Sequence, residues 1–368
     1  PLFPSVAPFP MSMQAAAATR EVEQVKLHLD PEADPTTGWN IHALHTQIDD
    51  TLQQFFNHKA TTLLPALSST FFTPEMRDTL YLEGEPLLLE GHPMTAWPAM
   101  TKWKLNTISQ HYGHVQFNCG EDQLITLSSL LEYNRYQQDD TPLYIFDDSF
   151  HKRCPAMLND YNQHMQELFP DDLMELMGPT RPPHRWLLIG AKGTGTDVHR
   201  DPAGTVAWNL CIDGKKLWAL LHPSLTETEV MANVVPADQP SLVWFRDHLH
   251  AIMEQHPGKV KLVVQEPGQC VLVPANWWHA VFNVTAVVGV TENHVSIGSF
   301  CKEMDDSIIA TAVPPIPSSS PERTTWDTNV VPLIEHHFGL IDAVAAAKWY
   351  QKVIAYGQEK EYRHPLFE

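Results

Sequence analysis

Two short segments, far apart in the chain, carry side chains that favour binding the same metal ion. The first contains His199 and Asp201, separated by one residue, and the second ends at His279. In an extended strand, residues i and i+2 point to the same side, so His199 and Asp201 can reach one ion together. The third ligand constrains the fold most, because His279 must arrive from another strand about 80 residues later.

The chemistry of these three ligands indicates which metal they bind. Two histidines and one carboxylate cover one face of an octahedron and leave the opposite face open, as in non-haem Fe(II) oxygenases. The open positions matter because a co-substrate and dioxygen must both bind the iron. A competing interpretation is a histidine hydrogen-bonded to a nearby acid at a strand edge. A chain with 20 His and 44 acidic residues contains such pairs by chance.

Short apolar segments precede both ligand sites and favour the metal interpretation. Residues 186–190 come before the first site and residues 270–274 before the second, each bounded by Gly or Pro. Such segments are typical of strands in a buried β core. The sequence therefore predicts a mostly β fold with α additions, in which a double-stranded β-helix of the jelly-roll or cupin type is flanked by helices.

Two further strands are predicted between the metal-binding segments. Residues 207–209 and 215–218 have strand-like composition, and Asp213 and Gly214 between them are turn residues. We expect these strands to pair as a hairpin.

Lys216 stands at the start of an apolar run that continues with Leu217 and Trp218. A buried cation needs an anionic partner, because desolvating it unpaired costs several kcal/mol. The distal carboxylate of 2-oxoglutarate would supply that anion, and further hydrogen-bond donors are available on Thr196, Thr291 and Asn209. The alternative is that Lys216 is solvated at a strand end, as we expect for Lys215. Spacing alone does not separate the two.

Several motifs, in the same order, resemble the JmjC-domain Fe(II)/2-oxoglutarate oxygenases. The resemblance extends from about Tyr81 to Phe300. Within the family, the chain is most similar to the lysyl hydroxylases and arginine demethylases once called phosphatidylserine receptors. The motifs lie at residues 103–105, 117–122, 141–147, 181–186, 201–209, 244–245 and 267–279.

The resemblance implies a role for each matching residue. His199, Asp201 and His279 would hold the catalytic iron. The positions that would bind 2-oxoglutarate are Tyr144, Thr196, Asn209, Lys216 and Thr291, with Asn283 close to the co-substrate. The implied cofactors are Fe(II) and 2-oxoglutarate, with ascorbate as the reductant.

The implied activity is hydroxylation of lysyl side chains in proteins. An alternative is N-methyl demethylation of arginine or lysine, because a hydroxylated N-methyl carbon breaks down to formaldehyde and the demethylated amine. A third interpretation is a cupin-type metal-binding interaction protein without turnover, which the complete ligand set disfavours.

The charge of the chain indicates which partners it favours. It has 24 basic and 44 acidic residues, a formal net charge of −20, which gives no strong signal for nucleic-acid binding. A negative surface attracts Lys- and Arg-rich protein segments, although the charge can equally serve solubility alone.

Composition also bears on where the protein is located. No apolar run approaches the roughly 18 residues needed to cross a membrane, and no secretory signal is evident. The five cysteines lack CxxC spacing, which favours reduced thiols and an intracellular protein, cytoplasmic or nuclear.

Three regions are predicted along the chain. Residues 1–78 comprise a flexible segment and helices over 19–29 and 41–56, and residues 79–300 form the catalytic domain. Residues 301–368 comprise a Pro-rich linker and an amphipathic helix over 338–354. We expect this helix to pack on the barrel; pairing of two subunits in a homodimer is the alternative.

Overall fold

The structure of the chain is a computed structural model. It describes residues 13–57, 64–69, 73, 76–77, 80, 84–91, 94–161, 165–169, 171–201, 205–231, 240–301 and 343–360. The proposed linker, residues 1–12 of the proposed flexible segment and residues 338–342 of the proposed C-terminal helix lie outside these residues, and the three-region division of the chain stays a prediction.

Two sheets form the core of the fold, as the apolar segments predict. A seven-stranded sheet has the order β1-β2-β11-β8-β13-β6-β5, and a four-stranded sheet has the order β10-β9-β12-β7. The strands of the first sheet are β1 (Ala66–Ser68), β2 (Leu87–Glu90), β5 (Tyr144–Asp147), β6 (Arg185–Gly190), β8 (Val206–Asp213), β11 (Gln269–Val273) and β13 (Val287–His294). Those of the second are β7 (Gly195–His199), β9 (Lys216–Leu221), β10 (Val260–Gln265) and β12 (Trp278–Asn283), and a separate ribbon pairs β3 (Gln116–Asn118) with β4 (Leu124–Thr126).

Helices cover the outer faces of both sheets. The α-helices whose bounds lie in the described part of the chain are α1 (Met13–Leu29), α2 (Ile48–Asn57), α3 (Ala99–Lys102), α4 (Ile108–Tyr112), α5 (Leu127–Tyr133), α6 (Phe150–Arg153), α7 (Met165–Leu168), α8 (Glu227–Met231), α9 (Ser241–Asp247), α10 (Leu249–Gln255) and α11 (Ala343–Glu359). Short 3-10 helices span Leu44–Thr46, Met94–Ala96, Pro155–Asp160 and Leu173–Thr180. Together the sheets and helices form the expected jelly-roll core with helical additions.

Apolar side chains pack in three layers. One cluster joins α2, α9 and α10 to the outward residues of β9 and β12, and another covers the outer face of the larger sheet. A third cluster lies between the sheets and includes Ala207, Trp218, Val271 and Val281. Strands β8, β9, β12 and β13 are therefore buried on both faces, which explains why β8, β9, β12 and the first half of β13 are mostly apolar.

Both N-terminal helices were predicted. Helix α1 contains the predicted segment and begins six residues earlier, at Met13. The second predicted segment divides into a 3-10 turn and α2, because only part of it has a continuous apolar face. That face comprises Ile48, Leu52 and Phe55, which are buried at helical spacing.

The hairpin prediction was wrong. Strand β8 pairs with β11 and β13, whereas β9 pairs with β10 and β12, so the two strands belong to different sheets. The turn between them contains Asp213, whose carboxylate accepts a hydrogen bond from the Gly214 amide at 3.0 Å. Gly214 has φ +82°, and a Cβ there would lie 2.0 Å from the Ala286 carbonyl oxygen. The turn residues are thus as predicted, but the turn carries the chain from one sheet to the other.

Helix α11 packs against its own chain, as expected. Trp349 is buried and donates a hydrogen bond to the Leu173 carbonyl oxygen at 2.9 Å, and its ring meets Phe300 edge-on. Tyr356 donates to Asp171 at 2.7 Å. No helix in the described parts of the chain is long and apolar enough to cross a membrane.

Candidate metal and co-substrate site

The alternation of strand residues determines which side chains face the space between the sheets. On β9, Leu217, Ala219 and Leu221 point outward to the helices, so Lys216 and Trp218 point inward. The same alternation points polar side chains inward from neighbouring strands, whose outward-facing side chains are mostly apolar. These inward-facing side chains are Asn209 on β8, His279 on β12, and Thr291 and Asn293 on β13, with Gly289 on the same face of β13.

The inward-facing residues surround a cavity of about 500 Å³. The inter-sheet apolar cluster fills one part of the sandwich, and Ala207, Trp218 and Val281 belong to both that cluster and the cavity wall. All the predicted site residues line the cavity except Asn283. The two sheets therefore bring together residues that are widely separated in the sequence.

His199, Asp201 and His279 converge on one point of this cavity. Their ligand atoms all lie within 4.8 Å of one another. Both Nε2 atoms are 3.8 Å from Asp201 Oδ1, and the two imidazole centroids are 4.2 Å apart. His199 and His279 occupy paired positions of antiparallel strands β7 and β12. Strand β7 ends at His199, so Asp201 reaches the site from the segment after the strand, not from within it as expected.

Both imidazoles are held through their Nδ1 atoms by backbone carbonyls two residues earlier. His199 Nδ1 lies 2.7 Å from the Asp197 oxygen, and His279 Nδ1 lies 3.1 Å from the Trp277 oxygen. Donation from Nδ1 leaves the Nε2 lone pair directed at the shared point, the tautomer that a metal ligand needs. Burial, with His199 nearby, lowers the pKa of His279 to about 4, so this imidazole is neutral at pH 7 and able to coordinate.

The carboxylate of Asp201 indicates that the three residues suit a cation. Its Oδ2 atom is buried and has no hydrogen-bond partner among the described residues. A buried acceptor without a partner is costly, and a bound cation would satisfy it. The donor set, the imidazole orientation and this unsatisfied oxygen together fit a divalent metal.

Lys216 is buried and has no carboxylate partner within the described structure. Its side chain is 1% exposed, and its Nζ donates to the neutral Asn209 Oδ1 at 3.1 Å. Burial lowers its pKa to about 8. The solvated alternative is therefore wrong for Lys216 but correct for Lys215, which is exposed and pairs with Glu266 at 2.6 Å. The buried ammonium lacks the anion that its desolvation requires.

Gly289 makes room for this ammonium group. A Cβ at position 289 would lie 2.9 Å from Lys216 Nζ and 2.9 Å from the Leu210 carbonyl oxygen. Any larger residue would therefore displace the lysine or the strand beside it. Glycine at position 289 thus leaves the space that the Lys216 ammonium occupies.

The remaining predicted residues differ in how they meet the cavity. Tyr144 lines it and packs against Gly190, where a Cβ would lie 2.6 Å from the tyrosine ring. Thr291 also lines it, but its hydroxyl donates to the Trp208 carbonyl oxygen at 2.8 Å. Its proton is thus already used, and Thr291 presents an acceptor to the cavity, not the expected donor.

Thr196 faces the cavity because of an irregularity in β7. His279 pairs with His199 and Val281 pairs with Thr196, so β7 has one more residue than β12 between these pairs. This bulge turns Thr196 and His199, three residues apart, to the same side. Asn283 is in register with Lys216 on the neighbouring strand, and its amide donates to Thr194 Oγ1 at 2.8 Å. Its contact with a co-substrate stays a prediction.

Comparison with known families identifies this part of the chain. Residues 186–294 match the profile of a protein family described as "JmjC domain, hydroxylase". They form a JmjC domain. The matched residues include both strands that carry metal-site histidines, the buried lysine and the glycine beside it.

Similar proteins match this chain over part of their length. Lysine-specific demethylase JMJ21 of Arabidopsis thaliana is 35% identical over 236 residues, which cover 60% of this chain and 24% of that protein. The bifunctional arginine demethylase and lysyl-hydroxylase psr-1 of Caenorhabditis elegans is 32% identical over 214 residues, covering 55% of this chain and 53% of that protein. Arginine-specific demethylase JMJ22 of Arabidopsis thaliana is 30% identical over 216 residues, 58% of this chain and 42% of that protein. The chain thus spans less than two thirds of each relative.

Some residues that shape the JmjC domain's site were missed by sequence reasoning. The guanidinium of Arg200 lies 4.3 Å from the ring centroid of Trp278 and so links the two segments that carry the ligands. The carbonyls of Asp197 and Trp277 orient the imidazoles. A backbone carbonyl gives no signal in residue type, so only Arg200 and Trp278, which adjoin metal-site residues, could have been found from the sequence.

Proposed function

We propose that the JmjC domain of this chain is an Fe(II)- and 2-oxoglutarate-dependent oxygenase that hydroxylates lysyl side chains of proteins. One observation carries the proposal. The cavity that holds the two histidines and Asp201 also holds a buried ammonium with no anionic partner in the described structure. A bound metal ion would be coordinated by the two histidines and Asp201, and a bound dicarboxylate would supply the anion that the buried ammonium needs.

His199, Asp201 and His279 would hold the iron on one face and leave its other positions to ligands. Lys216 would bind the distal carboxylate of 2-oxoglutarate through a charge-assisted hydrogen bond. Asn209, which already contacts the ammonium, would fix the direction in which Lys216 points. Tyr144 and Thr196 would supply hydroxyl groups along the same wall.

When bound there, Fe(II) and 2-oxoglutarate supply dioxygen activation, with oxidation of 2-oxoglutarate to succinate and carbon dioxide accompanying insertion of one oxygen atom into a C–H bond. The protein's contribution is positional. The imidazoles keep fixed orientations through Nδ1, and Lys216 would hold the distal carboxylate of the co-substrate.

Demethylation of N-methyl arginine or lysine is the second candidate. Relatives that the chain resembles carry the names lysine-specific demethylase, arginine-specific demethylase and bifunctional arginine demethylase and lysyl-hydroxylase. The same oxygen insertion at an N-methyl carbon yields formaldehyde and the shorter amine. The substrate carbon that reaches the metal decides between the two outcomes.

A metal-binding interaction protein without turnover is the weaker candidate. Such a protein has no need for a buried, uncompensated lysine beside its metal site, because that lysine lowers its stability. Succinate release separates this candidate from both enzymes.

The deciding experiment is mass spectrometry of a Lys/Arg-rich peptide panel with unmodified and methylated members. The full chain is supplied with Fe(II), 2-oxoglutarate and ascorbate. We expect lysyl peptides to gain one oxygen atom, only when 2-oxoglutarate is present. Loss of a methyl group would favour demethylation. Omitting ascorbate tests its role as the reductant, since its absence should shorten the time for which activity lasts.

The matched control is Asp201→Ala, prepared free of adventitious metal. This variant should release no succinate and modify no peptide. If wild-type protein releases no succinate under any condition, the oxygenase assignment is wrong.

A further inference from the structure

We infer that Asp197 selects the substrate, by receiving the cationic end of a Lys or Arg side chain at the mouth of the metal cavity. The inference rests on the proposed function for its substrate class, but it concerns a side chain to which none of the proposed metal or co-substrate roles is assigned; only the main-chain oxygen of Asp197 serves the metal site, by orienting His199. The geometry of β7, the charges of the cavity wall and two aromatic rings carry it.

The strand carries Asp197 to the boundary between cavity and solvent. Strand β7 is an edge strand of its sheet, and its bulge falls between the pairs formed by Thr196 and His199. Asp197 lies within that bulge, lines the cavity and is nevertheless exposed to solvent. A residue that meets both descriptions stands where the cavity opens. Bulges beside active sites commonly re-aim a side chain in this way.

The charges of the cavity wall leave the Asp197 carboxylate available. Among the described residues, this carboxylate makes no hydrogen bond and no ion pair; His199 hydrogen-bonds to the main-chain oxygen of Asp197 and acts on the carboxylate only through its charge. Asp201, the other carboxylate on the wall, belongs to the metal set. The ammonium of Lys216 is buried on an interior strand, where it suits an anion. The cavity thus has a cation at depth and an unused anion at its opening.

Two aromatic rings line the same cavity as this anion. Phe146 lies on β5, an edge strand of the opposite sheet, and is 41% exposed although it is a large apolar residue. Its ring centroid is 6.1 Å from that of Trp186, and both rings line the cavity. Aromatic faces attract ammonium and guanidinium groups, and they also pack against the methylene stem of a long cationic side chain.

A carboxylate at the opening distinguishes between cationic side chains by their hydrogens. Lysine and arginine can donate N–H hydrogen bonds to Asp197, as can mono- and dimethylated lysine. Trimethylated lysine keeps its charge but has no N–H to donate. We therefore expect the cavity to prefer side chains that carry both charge and at least one N–H.

The test measures binding, so that it does not depend on turnover. Three fluorescent peptides of one sequence carry Lys, norleucine or Glu at the central position, and binding to the full chain is followed by anisotropy. The buffer is anaerobic, low in salt, and contains Mn(II) and 2-oxoglutarate. Wild-type protein should bind the Lys peptide about tenfold more tightly than the norleucine peptide, a typical factor for a charge-assisted hydrogen bond.

Two variants of Asp197 separate charge recognition from structural damage. Asp197→Asn, which is isosteric, should abolish the preference for Lys over norleucine. Asp197→Lys should move the preference to the Glu peptide, an outcome that misfolding cannot produce. Glu227→Gln removes one charge from an exposed position on α8 that does not line the cavity, and it should keep the wild-type order.

The inference is overturned if Asp197→Asn retains the wild-type preference, or if wild-type protein shows no preference for Lys, whether it binds all three peptides or none. Succinate release, measured in parallel, tests the proposed function separately. A preference that reverses in Asp197→Lys without any succinate release would uphold Asp197 and reject the oxygenase.

Discussion

His199 and His279 face each other from paired positions of neighbouring antiparallel strands, with their ring centroids 4.2 Å apart. Each ring is oriented through Nδ1 by the carbonyl of the residue two positions earlier. This shared arrangement leaves both Nε2 atoms at 3.8 Å from one oxygen of Asp201. The strand pairing thus prepares two imidazoles for one ion.

A divalent metal should therefore stabilise the wild-type protein and not the ligand variants. At a metal concentration 100 times the Kd, binding adds about 2.7 kcal/mol to the free energy of unfolding. Mn(II) should raise the midpoint of thermal unfolding of the wild-type protein. It should leave the midpoints of His279→Ala and Asp201→Ala unchanged. His114→Ala, at an exposed histidine outside the cavity, should shift as the wild type does. Equal shifts in all four proteins would reject this metal site.

Replacing Lys216 should weaken 2-oxoglutarate binding more than it slows turnover. The loss of a hydrogen bond between charged groups corresponds to roughly 1.5–3 kcal/mol, or about ten- to a hundredfold in affinity. Lys216→Ala should raise the half-saturating 2-oxoglutarate concentration by that factor, measured as succinate release. An unchanged requirement would mean that another residue holds the distal carboxylate.

The same lysine should make co-substrate binding depend on pH. Because burial lowers the pKa of Lys216 to about 8, a growing share of the free protein carries a neutral amine above that pH. The dianion favours the protonated form, so half-saturation should rise above pH 8 and binding should take up a proton. Calorimetry in buffers of different ionisation enthalpy measures this uptake. Lys216→Arg stays charged. However weakly this variant binds 2-oxoglutarate, its half-saturation should not rise above pH 8 and its binding should take up no proton.

Gly289→Ala should impair the co-substrate site without removing any group from it. The new methyl would lie 2.9 Å from Lys216 Nζ, so the ammonium must move away from Asn209. We expect the half-saturating 2-oxoglutarate concentration to rise about tenfold, the size of one displaced charge-assisted hydrogen bond. Gly258→Ala is the control, because Gly258 has φ +81° and open space around its Cβ position. It should lower stability but leave the 2-oxoglutarate requirement unchanged.

Asp160 should be needed for stability and not for the site. Its buried carboxylate accepts hydrogen bonds from Lys102 at 2.6 Å, Trp103 at 2.9 Å and Tyr112 at 2.5 Å. Asp160→Ala leaves these donors unpaired and should lower the free energy of unfolding by about 3 kcal/mol, measured by urea denaturation. Glu132→Gln, which loses only a surface pair with Arg135, should cost less than about 1 kcal/mol. A loss of similar size in both variants would contradict the buried network.

The three candidate metal ligands could be brought together from the sequence because a ligand atom is visible in the residue type. His199, Asp201 and His279 each carry a ligand atom, and the apolar segments before them become β6 and β11 as expected. For Lys216 the sequence left burial and solvation equally open, and only the fold excludes the solvated alternative. These features depend on the local sequence and on one requirement, that the strands carrying His199 and His279 come together.

The features that could not be predicted depend on pairing between distant residues. Asp213 and Gly214 specify a turn but not whether the strands it joins will pair, because β8 finds its partners in β11 and β13. The bulge in β7 appears only against β12, and the role of Gly289 only against Lys216. Each of these is a relationship between strands, which no single segment encodes.

The turn at Gly214 has a consequence for when the co-substrate site exists. Asn209 and Lys216 are neighbours in sequence but stand on opposite sheets, so their contact forms only after the two sheets have docked. A dicarboxylate bound to Lys216 would strengthen this contact between the sheets and would oppose their separation. The co-substrate would then stabilise the fold as well as react, and the free energy of unfolding would rise with the fraction of protein that has co-substrate bound.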